Sequence, residues 1–300
     1  MLHPHDGCLA QTQTFQIHIA LSIKQQTVIS PSTTVGSCPI AICTYRPEEC
    51  ADVLEEDLIG PFTIDANDHV KSLAVPTDSQ GGLALAVSIN IVNASIPFPR
   101  RKYGTAVLLL HGILDASPTW LVAGPERALG FILADQGYDV WLGNMRGNRY
   151  SRKHLTLTVS DPDFWNLNWN EMGIYDVPAM IDHIIEQTKQ EKIFMVSHSQ
   201  GNFRKFDYGL SGNIEIYNDI NPPDYNLGNI LLPVYLHYAT NDTIADVQDV
   251  LELYEVLPNA QKLLVQYDLF AHLDFVWGED ANTLVYNEVL SLMGAMEINY

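Results

Sequence analysis

From residue 105 onward the chain alternates short apolar runs with longer stretches of helical periodicity. Residues 106–110, Ala-Val-Leu-Leu-Leu, are apolar throughout and predict a strand buried on both faces. Residues 125–136 set Leu129, Ile132 and Leu133 on one helical face, and Gly137 is placed to end that helix. Residues 138–142 predict the next strand. Over 176–187 an apolar face of Val177, Ile181, Ile184 and Ile185 predicts a helix, with Asp176 as candidate N-cap and Pro178 in the first turn. Strands follow at 193–196, 231–238 and 263–267. Helices are predicted at 246–256, bearing Val250, Leu251 and Tyr254, and at 283–293, bearing Val285, Val289 and Leu292. Alternation of this kind predicts an α/β fold whose mostly parallel central sheet is covered by helices on both faces.

The first third of the chain reads differently. Residues 70–75 and 83–92 flank a Gly-rich turn and predict a β-hairpin. Residues 1–65 show no period and are rich in Pro, Thr, Ser and Cys. They form an irregular N-terminal segment, set apart from a single domain over 66–300. Hydrophobic residues make up 47% of the chain, ample for a core. Sixteen basic residues against 36 acidic ones give a net charge of −20, which argues against nucleic acid or a polybasic membrane-surface role. No apolar run is long enough to span a membrane. The mildly apolar stretch 15–23 is interrupted by Gln16 and His18 and has no basic residue before it, so it is not a clear signal peptide. Cys8, Cys38, Cys43 and Cys50 fit no common zinc spacing. One or two disulfides or free thiols are equally open readings. Two glycosylation triplets occur, at Asn93 and at Asn241.

The chemistry is concentrated where the strand at 193–196 ends. Ser197-His198-Ser199-Gln200-Gly201 has the small-x-Ser-x-Gly form of a nucleophile elbow, which holds its serine in a tight strand-to-helix turn above the sheet. A serine needs a base and an orienting acid. Downstream, in the order Ser, Asp, His, lie Asp242 just past one predicted strand and His272 in the loop after the last. Both stand at strand C-terminal ends, where α/β sheets hold their ligands. In this reading Ser199 is the nucleophile, His272 the base and Asp242 its orienting partner. The oxyanion donors are the backbone N–H groups of Gln200 and of Ile113, in the His111-Gly112-Ile113-Leu114 loop. His111 and His198 read as structural.

A set of longer words carries a family resemblance. They include Leu108-Leu109-Leu110-His111-Gly112-Ile113-Leu114, Gly137-Tyr138-Asp139-Val140-Trp141-Leu142-Gly143-Asn144, Arg146-Gly147-Asn148, Phe164-Trp165-Asn166, Trp169-Asn170-Glu171-Met172 and His198-Ser199-Gln200-Gly201. Pro222-Pro223-Asp224-Tyr225-Asn226-Leu227, Asn241-Asp242 and His272-Leu273-Asp274-Phe275 extend the set to the C-terminal part. Over about residues 105–293 the chain resembles the acid lipases, the gastric, lysosomal and related insect enzymes. The resemblance implies an α/β-hydrolase that cleaves carboxylic esters of lipids, of the triacylglycerol or sterol ester class, with no cofactor or metal. It gives Ser199, Asp242 and His272 the triad roles and Ile113 and Gln200 the oxyanion hole. It further implies a secreted or lysosomal setting and transient contact with a lipid interface.

Two departures stand against that pattern. The hairpin over 70–92 lacks the family's signature words. Gly201 is followed at once by Asn202-Phe203-Arg204-Lys205-Phe206-Asp207-Tyr208-Gly209, which resembles the segment after the family's cap. The cap, a core strand and the elbow helix are therefore expected to be missing. That loss would leave strand edges unpaired and an elbow helix to be improvised from 202–210, ending at Gly209. Besides an active hydrolase, the chain reads as a catalytically impaired homologue, a binding protein or truncated product. Peptidase or thioesterase chemistry on the same fold is a third reading.

Overall fold

The structure is a computed structural model, and it describes residues 104–199 and 204–298 together with the backbone of the strands at 18–21, 70–76 and 83–89. One sheet organises these residues. Its strands are β1 (His18–Leu21), β2 (Val70–Pro76), β3 (Leu83–Ile89), β4 (Ala106–Leu110), β5 (Asp139–Asn144), β6 (Phe194–Ser197), β7 (Val234–Tyr238) and β8 (Ala260–Leu264), ordered β2-β3-β5-β4-β6-β1-β7-β8. β5, β4 and β6 pair in parallel, as do β7 and β8, while β1 and β3 run against their neighbours. Among the described strands, all but β1 and β3 therefore point the same way. The hairpin expected over 70–92 is β2 and β3, paired antiparallel from Val70 with Ile89 to Pro76 with Leu83.

β4 explains why its apolar run does not alternate. Val107 and Leu109 pack with Leu129 and Leu133 of α1 (Leu129–Asp135) and with Val289 and Met293 of the C-terminal helix. Ala106, Leu108 and Leu110 pack on the opposite face with Met180, Ile181 and Ile184 of α2 (Val177–Thr188). Successive side chains of a strand point to opposite faces, so a strand between two helical layers must be apolar at every position. Farther along the sheet, Val234 and Leu236 of β7 meet Val250 and Leu253 on the helix Val247–Val256. Asp246 caps that helix by accepting from the Gln248 N–H.

Several elements differ from the expectation, each for a local reason. Gly137 does stop α1, with φ +89, a conformation that is cheap only for glycine. The last strand begins at Ala260 rather than 263, because an edge strand needs backbone pairing more than an apolar face; Gln261 and Lys262 are exposed. The C-terminal helix opens as a π-helical turn, Asn282–Tyr286, and continues as Asn287–Ile298. Asp176 is not an N-cap. It ends a π-helical turn, Met172–Asp176, has helical backbone and makes no capping bond. Its carboxylate instead accepts from the Arg146 backbone N–H at 2.9 Å, from Nε at 2.8 Å and from Nη2 at 2.6 Å.

The stretch after the elbow is also not as expected. Gln200 to Phe203 lie outside the described residues. Arg204 bridges to Asp224, the described residues 204–208 are not helical, and Gly209 starts the helix α3 (Gly209–Tyr217) rather than ending one. The Asp207 carboxylate accepts from the Gly209 N–H, and the Asn213 side-chain oxygen accepts from the Tyr208 N–H, so these side chains serve the first turn. The edges expected to be unpaired are occupied. β1 lies antiparallel between β6 and β7, with His18 opposite both Ser197 and Leu236. Part of the segment 1–65 is thus a strand of the sheet; the four cysteines and the rest of that segment lie outside the described residues.

The Asp176 ion pair is fully buried on the carboxylate side. Removing one partner of such a pair leaves the other charged and unmatched. Asp176→Asn is expected to lower the unfolding free energy by about 3 kcal/mol in urea titrations. A loss within the scatter of an ordinary surface substitution would show that the guanidinium finds another partner.

Candidate active site

β6 is buried, and its parallel register with β4 continues past the strand end, where the His198 N–H donates to the Leu110 carbonyl at 3.1 Å. The chain then turns sharply. Ser199 has φ +55, the left-handed region that non-glycine residues rarely enter. Such strain persists where the surroundings over-determine it, and it lifts the Ser199 hydroxyl off the sheet edge. Ser197, in place of the usual first glycine, is only 3% exposed.

Two further loops meet that hydroxyl. After β7, Asp242 turns back so that its Oδ1 accepts from the Ile244 N–H at 2.9 Å and the Ala245 N–H at 2.7 Å. After β8, Phe270 and Phe275 sink into the core with their rings edge to face at 4.8 Å. They anchor both sides of the turn that carries His272. Between these anchors His272 Nδ1 lies 2.9 Å from Asp242 Oδ2, and Nε2 lies 2.8 Å from Ser199 Oγ. A carboxylate on Nδ1 assigns the proton to that nitrogen and leaves the Nε2 lone pair facing the serine hydroxyl. All three side chains are buried or nearly so. Asn241 ties the two loops together through its Nδ2, which donates to the Leu269 carbonyl at 3.0 Å.

The His111-Gly112 loop arrives from β4. A Cβ on Gly112 would lie 2.7 Å from Ser199 Cβ and 3.3 Å from its Oγ, so only glycine fits at this approach. His111 is held from below. Its Nε2 accepts from the Met145 N–H at 3.2 Å and from Asn148 Nδ2 at 2.9 Å, which leaves the ring proton on Nδ1. Nδ1 then donates to the Gly112 carbonyl at 2.7 Å. A trans peptide is planar, with C=O and N–H opposed. Pinning the Gly112 oxygen toward His111 therefore turns the Ile113 N–H away from it. Asn148 Nδ2 also donates to Asn144 Oδ1, and Asn144 exchanges hydrogen bonds with Ser117. The supporting roles of Asn144, Asn148 and Ser117 were not legible in the sequence beyond the Gly143-Asn144 and Arg146-Gly147-Asn148 words.

Of the residues predicted for the site, the structure brings Ser199, Asp242 and His272 together and places Gly112, the residue before Ile113, against Ser199; Gln200 lies outside the described residues. Among the described residues, no group of three or more His, Cys, Asp or Glu side chains is placed to hold a metal ion, and no helix is long and apolar enough to cross a membrane. Two further histidines line the floor. Burial pushes His111 below its ordinary value and pushes His198 down to about 4. Both are neutral in the fold yet take a proton readily once unfolded. Below the ordinary value of 6.5 the unfolded chain binds the extra protons, so stability is lost as pH falls from there toward 4. For His198 the slope reaches about 1.4 kcal/mol per pH unit. Melting temperatures measured from neutral pH down to pH 4 are expected to fall, and His198→Gln to flatten part of the slope. Identical slopes in the two proteins would show that this ring is not titrating.

Comparison with known proteins agrees with this architecture. A family described as alpha/beta hydrolase fold matches residues 105–203. Lipase 3 of Drosophila melanogaster is 30% identical over 321 residues, covering 63% of this chain and 82% of its own. Lipase 1 of the same organism is 26% identical over 318 residues, covering 65% of this chain and 72% of its own. Lipase member J of Homo sapiens is 55% identical over 95 residues, covering 32% of this chain and 26% of its own. The Drosophila alignments are far longer than the stretch of this chain they occupy, so a long portion of each relative has no counterpart here. With the elbow, the parallel strands and these relatives in hand, the chain belongs to the acid-lipase-like α/β-hydrolases, a family of carboxylic ester hydrolases.

Proposed function

We propose that this chain hydrolyses carboxylic esters of lipids, of the triacylglycerol or sterol ester class, through Ser199, His272 and Asp242. The observation that carries the reading is the unbroken hydrogen-bond chain from Ser199 Oγ through His272 to Asp242. His272 Nε2 takes the Ser199 proton as Oγ attacks the ester carbonyl. Asp242 holds the ring in its tautomer and stabilises the imidazolium. The oxyanion is received by the Ile113 N–H and the Gln200 N–H. The imidazolium returns its proton to the departing alcohol, and water then releases the acyl group from Ser199. None of these steps calls on a cofactor or metal.

The mouth of the site supports an apolar substrate. Leu114 is fully exposed, and Ile113, Ile244, Leu269 and Leu273 are exposed around the three loops. Apolar side chains clustered this way suit an acyl chain or a lipid surface. The long portion of the Drosophila relatives without counterpart supports an open site without a cap. A secreted or lysosomal setting accords with the family.

A second reading is favoured by one observation. No helix follows directly on the elbow between Arg204 and Tyr208, so the Gln200 N–H receives no helix-dipole support from those residues. The chain would then be a catalytically impaired member.

Hydrolysis of a short soluble ester beside a long-chain triglyceride separates these readings. Ester turnover and fluorophosphonate labelling, both abolished in Ser199→Ala, are the expected outcomes. A native chain that neither labels nor turns over either ester would establish the impaired reading. Gly112→Ala is expected to cost roughly 10²–10³ in kcat while the fold persists, since its methyl displaces the loop that carries the Ile113 donor. Unchanged turnover in that variant would remove Ile113 from the oxyanion hole.

A further inference from the structure

We infer that His198 is a positioning residue for His272, holding the backbone and ring of the base from inside the nucleophile elbow. This rests on the triad reading above. His198 Nε2 donates to the His272 backbone carbonyl at 2.9 Å, and the two imidazole rings lie 4.6 Å apart at 39°. The carbonyl belongs to the same residue whose side chain must reach both Ser199 and Asp242. Fixing its peptide plane fixes the direction in which the His272 side chain leaves the chain. The adjacent ring then closes one side of the imidazole against rotation.

Shape alone does not account for a histidine here. His198 is 2% exposed, and its Nδ1 has no hydrogen-bond partner among the described groups. An apolar side chain of the same volume would fill the space without leaving a buried nitrogen unmatched. What such a residue could not do is donate to the His272 carbonyl. Charge behaviour is consistent with the role. Burial first, then the neighbouring His272, keep His198 neutral down to about pH 4, with Asp242 the acidic group acting in the opposite direction. His198 therefore sets no second cation beside His272 when that ring accepts the serine proton. Because His198 immediately precedes Ser199, one backbone turn presents the nucleophile and anchors its base. The 2.8 Å separation of Oγ and Nε2 is then set locally rather than across two distant strand ends.

Two variants divide the donor from the ring. His198→Phe keeps volume and aromatic contact but loses the donor; His198→Gln keeps a donor and loses the ring. On a short soluble ester, His198→Phe is expected to lower kcat roughly ten- to a hundredfold with KM unchanged, as a small misplacement of a reacting group does. Fluorophosphonate labelling of Ser199 should slow by the same factor. His198→Gln should recover most of both. The far-downfield proton resonance of His272 Nδ1, sharp in the native chain, should broaden or vanish in His198→Phe and return in His198→Gln. A His198→Phe protein with native kcat and a native resonance overturns the inference. So does His198→Gln impaired as deeply as His198→Phe, which would mark a packing role. A native chain that hydrolyses no ester sinks the catalytic reading, while the resonance still decides whether His198 positions His272.

Discussion

Everything at this end of the sheet is arranged around one buried imidazole that must be satisfied on both nitrogens. His272 is 6% exposed, so an unpaired nitrogen there would carry the full cost of lost solvation. Its two partners come from different strands, Ser199 after β6 and Asp242 after β7, and the ring itself comes from the loop after β8. Meeting that demand requires three strand ends to stand in a fixed relation. The parallel direction of β6, β7 and β8 supplies it, because strands that point the same way deliver their following loops to the same edge. The site is thus a consequence of sheet direction together with the three loop conformations that aim each side chain.

Beneath the loops lies a second polar layer, unusual for a region flanked by so much apolar core. His111, Asn144, Asn148 and Ser117 form one network, and Arg146 with Asp176 sits at its border, in the same stretch of chain that carries Met145 and Asn148. Half-satisfied buried networks are worse than apolar packing, whereas satisfied ones specify one geometry. Here the output of the network is the orientation of a single peptide plane, between Gly112 and Ile113. That accounts for the choice of residues: a leucine at 111 would pack, yet nothing would then hold the Gly112 carbonyl. The arrangement has a built-in acid sensitivity, since burial disfavours the charged form of both histidines and His111 Nε2 can accept from the Met145 N–H only as the neutral ring.

The sequence spoke most clearly where one signal dominated. β4 and α2 were legible because burial on a helix-covered sheet leaves an unmistakable apolar pattern, and the meeting of Ser199, Asp242 and His272 because each follows an apolar strand that delivers its loop to the same sheet edge. Asp176 was misread because an acid before a proline-containing helix start usually caps it; its actual partner, Arg146, is distant in sequence and met only through the fold. β8 was placed three residues late because an edge strand is held by backbone pairing, and backbone pairing has no sequence period. β1 was illegible for a related reason. Four residues between two strands contribute a ladder on both sides without any alternation to read, and nothing local in 1–65 says that β6 and β7 need a partner.

That last element bears on the jump in sequence pattern after Gly201. Loss of a cap region, as that jump leads one to expect, would remove two things at once, a strand from the middle of the sheet and a helix from behind the elbow. The strand's place is filled from the N-terminal side, because an open slot between β6 and β7 offers unpaired N–H and C=O groups to any extended segment, in either direction. The helix is a separate matter: its contribution to the elbow depends on starting where Gln200 stands, and among the described residues the first helix after Ser199 is α3, from Gly209. Sheet integrity and oxyanion aim are therefore separable demands on this chain. The first concerns hydrogen-bonding capacity, which any backbone can supply. The second concerns the direction of one N–H, which only the residues next to Ser199 can set. Hence Ser199, His272 and Asp242 stand in register, while in the proposed mechanism the balance between full and impaired catalysis rests on the few residues that follow Ser199.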